Sequence, residues 1–362
     1  MFRRLLTLIC LSFFSLTAFS QNSTIISQQV RSLAQQITSG KSTDSLKVRA
    51  IYEWVAKNID YDVPLLQKMN RKSIEEFIQL QQSATVLSSK KAVCMGYSIL
   101  FKELCEASGI SAEFLAGYSK GLDPETGKLK LSDVLHAWNA VKVNKNWYLV
   151  DLTWSAGHVD EAQGRFVKAF TEKYYLSDNK KFVNDHLPFD PIWQLSNQPL
   201  SVREFRMYQG LPPTRTNSPT ISFMDTLQIY EKQDYETRRL NSYKRALVFD
   251  RSNDEPKAAM GYHYSNLALK SLEAFNDIIK KSVNQNTEEG EKIAVAKKTE
   301  MYNLLKEGEK NLRLARYHYI QIPANSKFAE TAQGNKEATE KNQGFINESR
   351  AFLGNYYKNL GK

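Results

Sequence analysis

Val93-Cys94-Met95-Gly96-Tyr97-Ser98-Ile99-Leu100-Phe101-Lys102-Glu103-Leu104-Cys105-Glu106-Ala107-Ser108-Gly109 is the stretch on which the fold turns. Tyr97, Phe101, Leu104 and Cys105 follow Cys94 at i+3, i+7, i+10 and i+11, so all five side chains lie on one helical face. Gly96 keeps the first turn slim, and Ser108-Gly109 is a stop signal for the helix. The spacing therefore predicts a helix over 94–107 with a cysteine at its first position. A helix start presents unpaired N–H groups and a partial positive charge, which favours a thiolate there.

Working outward, the next chemically pointed residues are His136, 42 positions on, and Asp151, 15 further. Residues 136–143 and 147–154 read as two strands flanking Asn144-Lys145-Asn146. Side chains alternate faces along a strand, so register decides whether His136 and Asp151 meet. They share a face only if the numbers in each opposed pair add to an odd total. Pairing Lys142 with Trp147 satisfies this, makes the two residues diagonal neighbours and puts Trp138, Leu149 and Thr153 on their face. A thiol, an imidazole and a carboxylate on separate elements are what a nucleophile, its base and the base's orienting group require. Cys94, His136 and Asp151 are the candidate catalytic residues. The Cys94 backbone N–H is one candidate oxyanion donor, and Tyr61 is a weaker candidate for a second.

The remaining titratable residues are read more blandly. His158, His186, His263 and His318 are taken as structural or surface residues. No closely spaced ligand pair supports a zinc site among Cys94, His136, His158 and Asp151, and the sequence calls for no metal or cofactor. If Cys94 and Cys105 lie on one helix, their Cα atoms stand about 16 Å apart, against the roughly 7 Å a disulfide tolerates. Both are expected free, with Cys105 as core filler.

The 362 residues suffice for two domains, and 42% hydrophobic with 24% charged residues is a globular composition. Arg3 and Arg4, an apolar run from Leu5 to Leu16, and Ala18-Phe19-Ser20 read as a secretory leader over 1–20, cleaved before Gln21. The run is too short to span a bilayer, and no later stretch is long enough, so a secreted or periplasmic protein without a membrane span is expected. The formal charge is +10, or +8 once Arg3 and Arg4 leave with the leader. Basic residues are interspersed with acids, as in 291–310, which reads as a solvated surface and not a nucleic-acid stripe.

Helices are further expected over 23–38, 44–58 and 72–82, a strand over 112–118, and a turn at Asp123-Pro124-Glu125-Thr126-Gly127. Residues 21–209 form the first domain on this reading. Gly210-Leu211-Pro212-Pro213 begins a linker over 210–221. Beyond it, helices over 222–247, 255–283, 288–319 and 336–358 make 222–362 an all-helical domain, either a bundle or repeat-like hairpins, with no fixed-period repeat.

Val93-Cys94-Met95-Gly96-Tyr97-Ser98, His136-Ala137-Trp138-Asn139 and Leu149-Val150-Asp151-Leu152-Thr153-Trp154 together resemble the three core motifs of the transglutaminase-like family. Thr153-Trp154-Ser155-Ala156-Gly157, Asp185-His186-Leu187-Pro188 and Trp193-Gln194-Leu195 are similar to its kyphoscoliosis-peptidase subgroup, so the resemblance covers about 45–206. It implies an α+β, papain-like core in which Cys94 is the nucleophile, His136 the base and Asp151 the orienting acid. Met95 departs from the polar residue relatives often carry. The implied activity is acyl transfer through a thioester on a peptide or carboxamide, resolved by water (protease or amidase) or by an amine (transglutaminase). The resemblance equally admits a non-catalytic scaffold that binds a peptide, cell-wall stem or protein, with the helical domain recruiting a partner.

Overall fold

The computed structural model describes residues 26–68, 74–122, 128–132, 135–160, 162–208, 222–285, 287–326 and 328–360. The expected leader over 1–20, the turn at 123–127 and the linker over 210–221 lie outside the described residues. The chain forms two compact units, one ending at Arg251 and the other running from Ser252.

The first unit opens with α1 (Gln28–Thr38) and α2 (Asp44–Asn58), each capped by a hydroxyl: Ser27 accepts from the Val30 N–H and Thr43 from the Leu46 N–H. β1 (Asp60–Tyr61) follows, then α3 (Val63–Lys68), α4 (Ile74–Leu80), α5 (Ser83–Ser89) and β2 (Lys91–Ala92), which pairs parallel with β1. The helix expected over 72–82 is thus α4, and α5 was not anticipated. Then comes α6 (Cys94–Ala107), with the predicted bounds. Gly109 N–H bonds to Glu106 O at 3.1 Å and Ile110 N–H to Cys105 O at 2.9 Å, so the stop is a Schellman motif.

The sheet runs β4 (Leu129–Leu131), β3 (Ala112–Leu122), β5 (His136–Val143), β6 (Asn146–Val150), all antiparallel, with β9 (His186–Pro188) also on β3. It is buried on both faces. Val141, Val143 and Val150 face a core with Val48, Ile51, Tyr97, Phe101 and Leu104 from α2 and α6. Trp138, Ala140 and Leu149 face a second core with Tyr174, Phe182, Ile192 and Trp193. The β5–β6 register pairs Lys142 with Trp147 as predicted, and it closes one pair further, at Val143 and Asn146. Asn144 and Lys145 have φ of 50° and 70°, the paired left-handed conformation of a two-residue I′ turn.

Two expectations need correction. The second strand does not run to Trp154. It ends at Val150, and Leu152–Ala156 is a short helix, α7, for which Asp151 is the N-cap. The boundary of the helical domain also moves. β7 (Gly157–Asp160), β8 (Arg165–Lys168), α8 (Asn179–Phe182) and α9 (Val202–Met207) are followed by α10 (Phe223–Glu231) and α11 (Tyr235–Phe249), and both of the last two belong to the first unit. Leu227 and Tyr230 of α10 join the Trp193 core. Arg245 of α11 grips buried Asp190 through Nε and Nη2, at 3.0 and 2.6 Å.

The second unit contains α12 (Asp254–Lys281), α13 (Glu288–Ala296), α14 (Lys298–Tyr319) and α15 (Ala329–Asn359). Leu272 and Phe275 of α12 meet Leu305 and Leu312 of α14 and Ile346 and Leu353 of α15 in one apolar core. This unit is all-helical, as the composition implied, and of the two expected forms its shared core fits a bundle. No helix among the described residues is long and apolar enough to cross a membrane.

Candidate active site

The site is built where α6 begins. Its first turn has no side-chain cap from its own N-cap residue, Val93. The buried Gln81 carbonyl supplies that role from a distance, accepting from Val93 N–H at 3.1 Å and Gly96 N–H at 3.2 Å. The amide approaches so closely that a Cβ at Gly96 would lie 2.7 Å from Gln81 Oε1. The glycine is therefore required by the cap. Cys94 is buried, with 6% of its surface exposed, and Cys105 is wholly enclosed in the core; both are free thiols. Burial pushes the Cys105 thiol far above its usual range, which fits an inert filler.

His136 begins β5 and Asp151 follows β6, so the odd register sets them as diagonal neighbours. His136 Nε2 lies 2.7 Å from Asp151 Oδ2. Cys94 acts on the same ring electrostatically and raises the imidazole. Burial alone would strip the His136 proton. The charge and hydrogen bond of Asp151, then Cys94, outweigh that and raise the imidazole to about 10. Burial also works against the Asp151 charge, but His136 and then His186 hold that carboxyl well below the usual range. Asp151 Oδ1 accepts from the Trp154 N–H at 3.0 Å, so the carboxylate caps α7 as well. Tyr61 is half-buried. Burial, and next the Cys94 charge, push its phenol far up, so it keeps its proton.

His186 is the site residue that the sequence reading missed. It is fully buried, with Nε2 2.9 Å from Asp151 Oδ2 and Nδ1 2.6 Å from Asp185 Oδ1. Asp185 Oδ2 in turn accepts from Tyr174 O–H at 2.9 Å and Lys173 Nζ at 3.3 Å. Burial opposes the Asp185 charge, yet the bond from His186 and the Tyr174 hydroxyl keep its carboxyl below the ordinary range. Gly117 makes the placement possible, since a Cβ there would lie 2.1 Å from Leu187 O and 2.7 Å from the Trp138 ring. The only hint in the sequence was the Asp185-His186 adjacency within a motif already noted. His158 is exposed on β7 and takes no part.

His136, Asp151 and His186 offer three donor atoms within 4.8 Å of one another. Asp151 Oδ2 is already engaged by both rings, so the arrangement reads as a proton network and not a metal centre. A helix-borne thiol against an imidazole on a sheet, itself backed by a carboxylate, defines the papain-like class of fold. Residues 31–152 match the Transglutaminase-like superfamily model, a span that includes Cys94, His136 and Asp151. The first unit thus carries a transglutaminase-like domain. The kyphoscoliosis peptidase of Mus musculus is 32% identical over 186 residues, covering 51% of this chain and 27% of its own length. That of Homo sapiens is 36% identical over 163 residues, covering 45% and 24%. A solved TGase structure is 17% identical, covering 64% of this chain and 54% of its own, with a TM-score of 0.32. The chain therefore spans about a quarter of the length of the curated relatives it matches.

Proposed function

We propose that the first unit is a thiol-dependent acyl-transfer enzyme acting on peptide or carboxamide bonds. The observation that carries this reading is an imidazole that Asp151 holds at 2.7 Å, in the same unit as a buried free thiol at the first position of α6 whose charge acts on that ring. In the reaction, the Cys94 thiolate adds to the carbonyl carbon, and the resulting oxyanion is met by the Cys94 N–H and the Tyr61 hydroxyl. As the C–N bond breaks, protonated His136 gives its proton to the departing nitrogen, leaving a thioester on Cys94 and a neutral ring. His136 then takes a proton from water as the oxygen adds to the thioester. Collapse releases the acid and returns the proton-bearing ring and the thiolate. An amine in place of water gives a new amide by the same steps. Hydrolysis is the leading form, since water is always at hand.

The test is intact-mass detection of an acyl adduct on Cys94 after incubation with a mixed peptide library. An adduct that hydroxylamine removes is expected. Peptide binding of equal strength in wild type and Cys94→Ala, with no adduct and no turnover on an amide panel, would replace the enzyme by a scaffold.

We infer as well that the protein is exported, on the strength of the Arg3-Arg4 and Leu5–Leu16 leader pattern. N-terminal sequencing of the protein from its native host is expected to start at Gln21, and a chain that retains Met1 in the cell interior would refute export.

A further inference from the structure

We propose that His186 is a positioning residue for Asp151, and through it for His136; this rests on the acyl-transfer reading of the same site. The Asp151 carboxylate has two oxygens and both are fixed. Oδ1 is taken by the Trp154 N–H and Oδ2 lies between two imidazoles, at 2.7 Å from His136 and 2.9 Å from His186. With both oxygens engaged, rotation about the Cβ–Cγ bond is removed, and Oδ2 stays aimed at His136 Nε2. A third group that orients the orienting carboxylate is one more layer of preorganisation than the three-residue arrangement has.

The backbone shows why this arrangement is accurate. β3 pairs with β5 through residues 112–117 and with β9 through residues 117–119, so the two pairings meet at Gly117. Gly117 lies opposite His136, and Ser119 lies opposite His186. One strand therefore sets the positions of both imidazoles, which are 35 residues from Asp151 in one case and 15 in the other.

His186 is held in its turn. Its two N···O contacts, at 2.9 and 2.6 Å, each need a hydrogen on the line between the atoms. The unit Asp151–His186–Asp185 thus holds two hydrogens between two carboxylates. Phe182, Trp154, Trp138 and Tyr174 surround the ring with centroids at 4.3, 4.5, 5.0 and 5.3 Å. The charged and titratable groups facing this network are Tyr52 from α2, Tyr61 from β1, Cys94 and Tyr97 from α6, Lys120 from β3, His136 from β5, Lys173 and Tyr174 from the segment before α8, and Asp185 beside the ring.

The test is a nitrogen-15 titration of the histidine rings in the full chain, alongside the pH dependence of Cys94 alkylation by iodoacetamide. His186→Leu removes both contacts, and His186→Gln keeps an N–H donor for Asp151. In the leucine variant the His136 titration is expected to fall by at least about one pH unit as Asp151 turns away. Alkylation at neutral pH is expected to slow by about 10- to 100-fold. The glutamine variant falls between, and it carries the test alone if the leucine variant does not fold. A His136 titration that stays put or rises in the folded variants, whatever their melting temperature, overturns the proposal. The ring titration does not depend on turnover, so it fails separately from the acyl-transfer reading.

Discussion

Cys94→Ala is expected to lose at least about 10⁴-fold of any amide turnover, with stability changed by no more than about 1 kcal/mol. The two halves of this prediction have separate causes. The sulfur is the only atom on α6 that forms the proposed covalent bond, so without it only the proposed oxyanion donors would remain. The helix start that carries the residue does not depend on it. Its cap comes from Gln81, which bonds to Val93 and Gly96 and leaves Cys94 out. His136 also keeps Asp151 when the thiol is gone. The measurement is turnover on an amide panel together with thermal melting. A Cys94→Ala protein that retains turnover within tenfold of wild type would remove the thiol from the mechanism. One that melts far lower would show that Cys94 is a structural element of α6.

What the sequence disclosed, and what it concealed, follows from the range of the interactions. α6 was legible to the residue because its signals are local: an apolar face, a small third position and Ser108-Gly109. The meeting of His136 and Asp151 was legible because pairing parity depends only on the turn. The end of β6 was not. Leu152-Thr153-Trp154 has strand propensity, yet Asp151 accepts the Trp154 N–H and turns the chain into α7. Tertiary context also misplaced the domain boundary. The composition becomes helical at residue 222, but composition reports secondary structure and not which core a helix covers. α10 and α11 are helical and still belong with the sheet, because Tyr230 packs on Trp193 and Arg245 finds Asp190. The break inside the helix expected over 222–247 has a capping cause. Asp234 accepts from the Thr237 N–H and restarts the chain as α11. His186 was hidden for the strongest reason, since its partners Asp151 and Asp185 stand at opposite ends of a 35-residue excursion and nothing in periodicity brings them together.

Asp151→Asn is expected to cost about 10²- to 10⁴-fold in turnover or alkylation and about 3–5 kcal/mol in stability at mildly acidic pH. An asparagine fills the same space, still caps α7 through its carbonyl and still contacts both rings. It supplies no charge, and its amide can present N–H to a ring nitrogen that also bears hydrogen. His136 then loses the partner that outweighs its burial. Its alkaline limb, near 10 in the wild type, is expected to move down toward or below the ordinary imidazole value of about 6.5. The stability difference has a pH signature whose sign follows from the two shifts. The raised His136 contributes stability that is full below about 6.5 and is lost as pH rises through about 10. The depressed Asp151 contributes stability that is full above about 4 and is lost as pH falls through its lowered folded value. The gap between wild type and Asp151→Asn is therefore widest between about pH 4 and 6.5 and narrows toward pH 10. Urea unfolding of both proteins across that range measures it. A gap that is constant with pH would mean that the carboxylate does not act on this fold through its charge on His136.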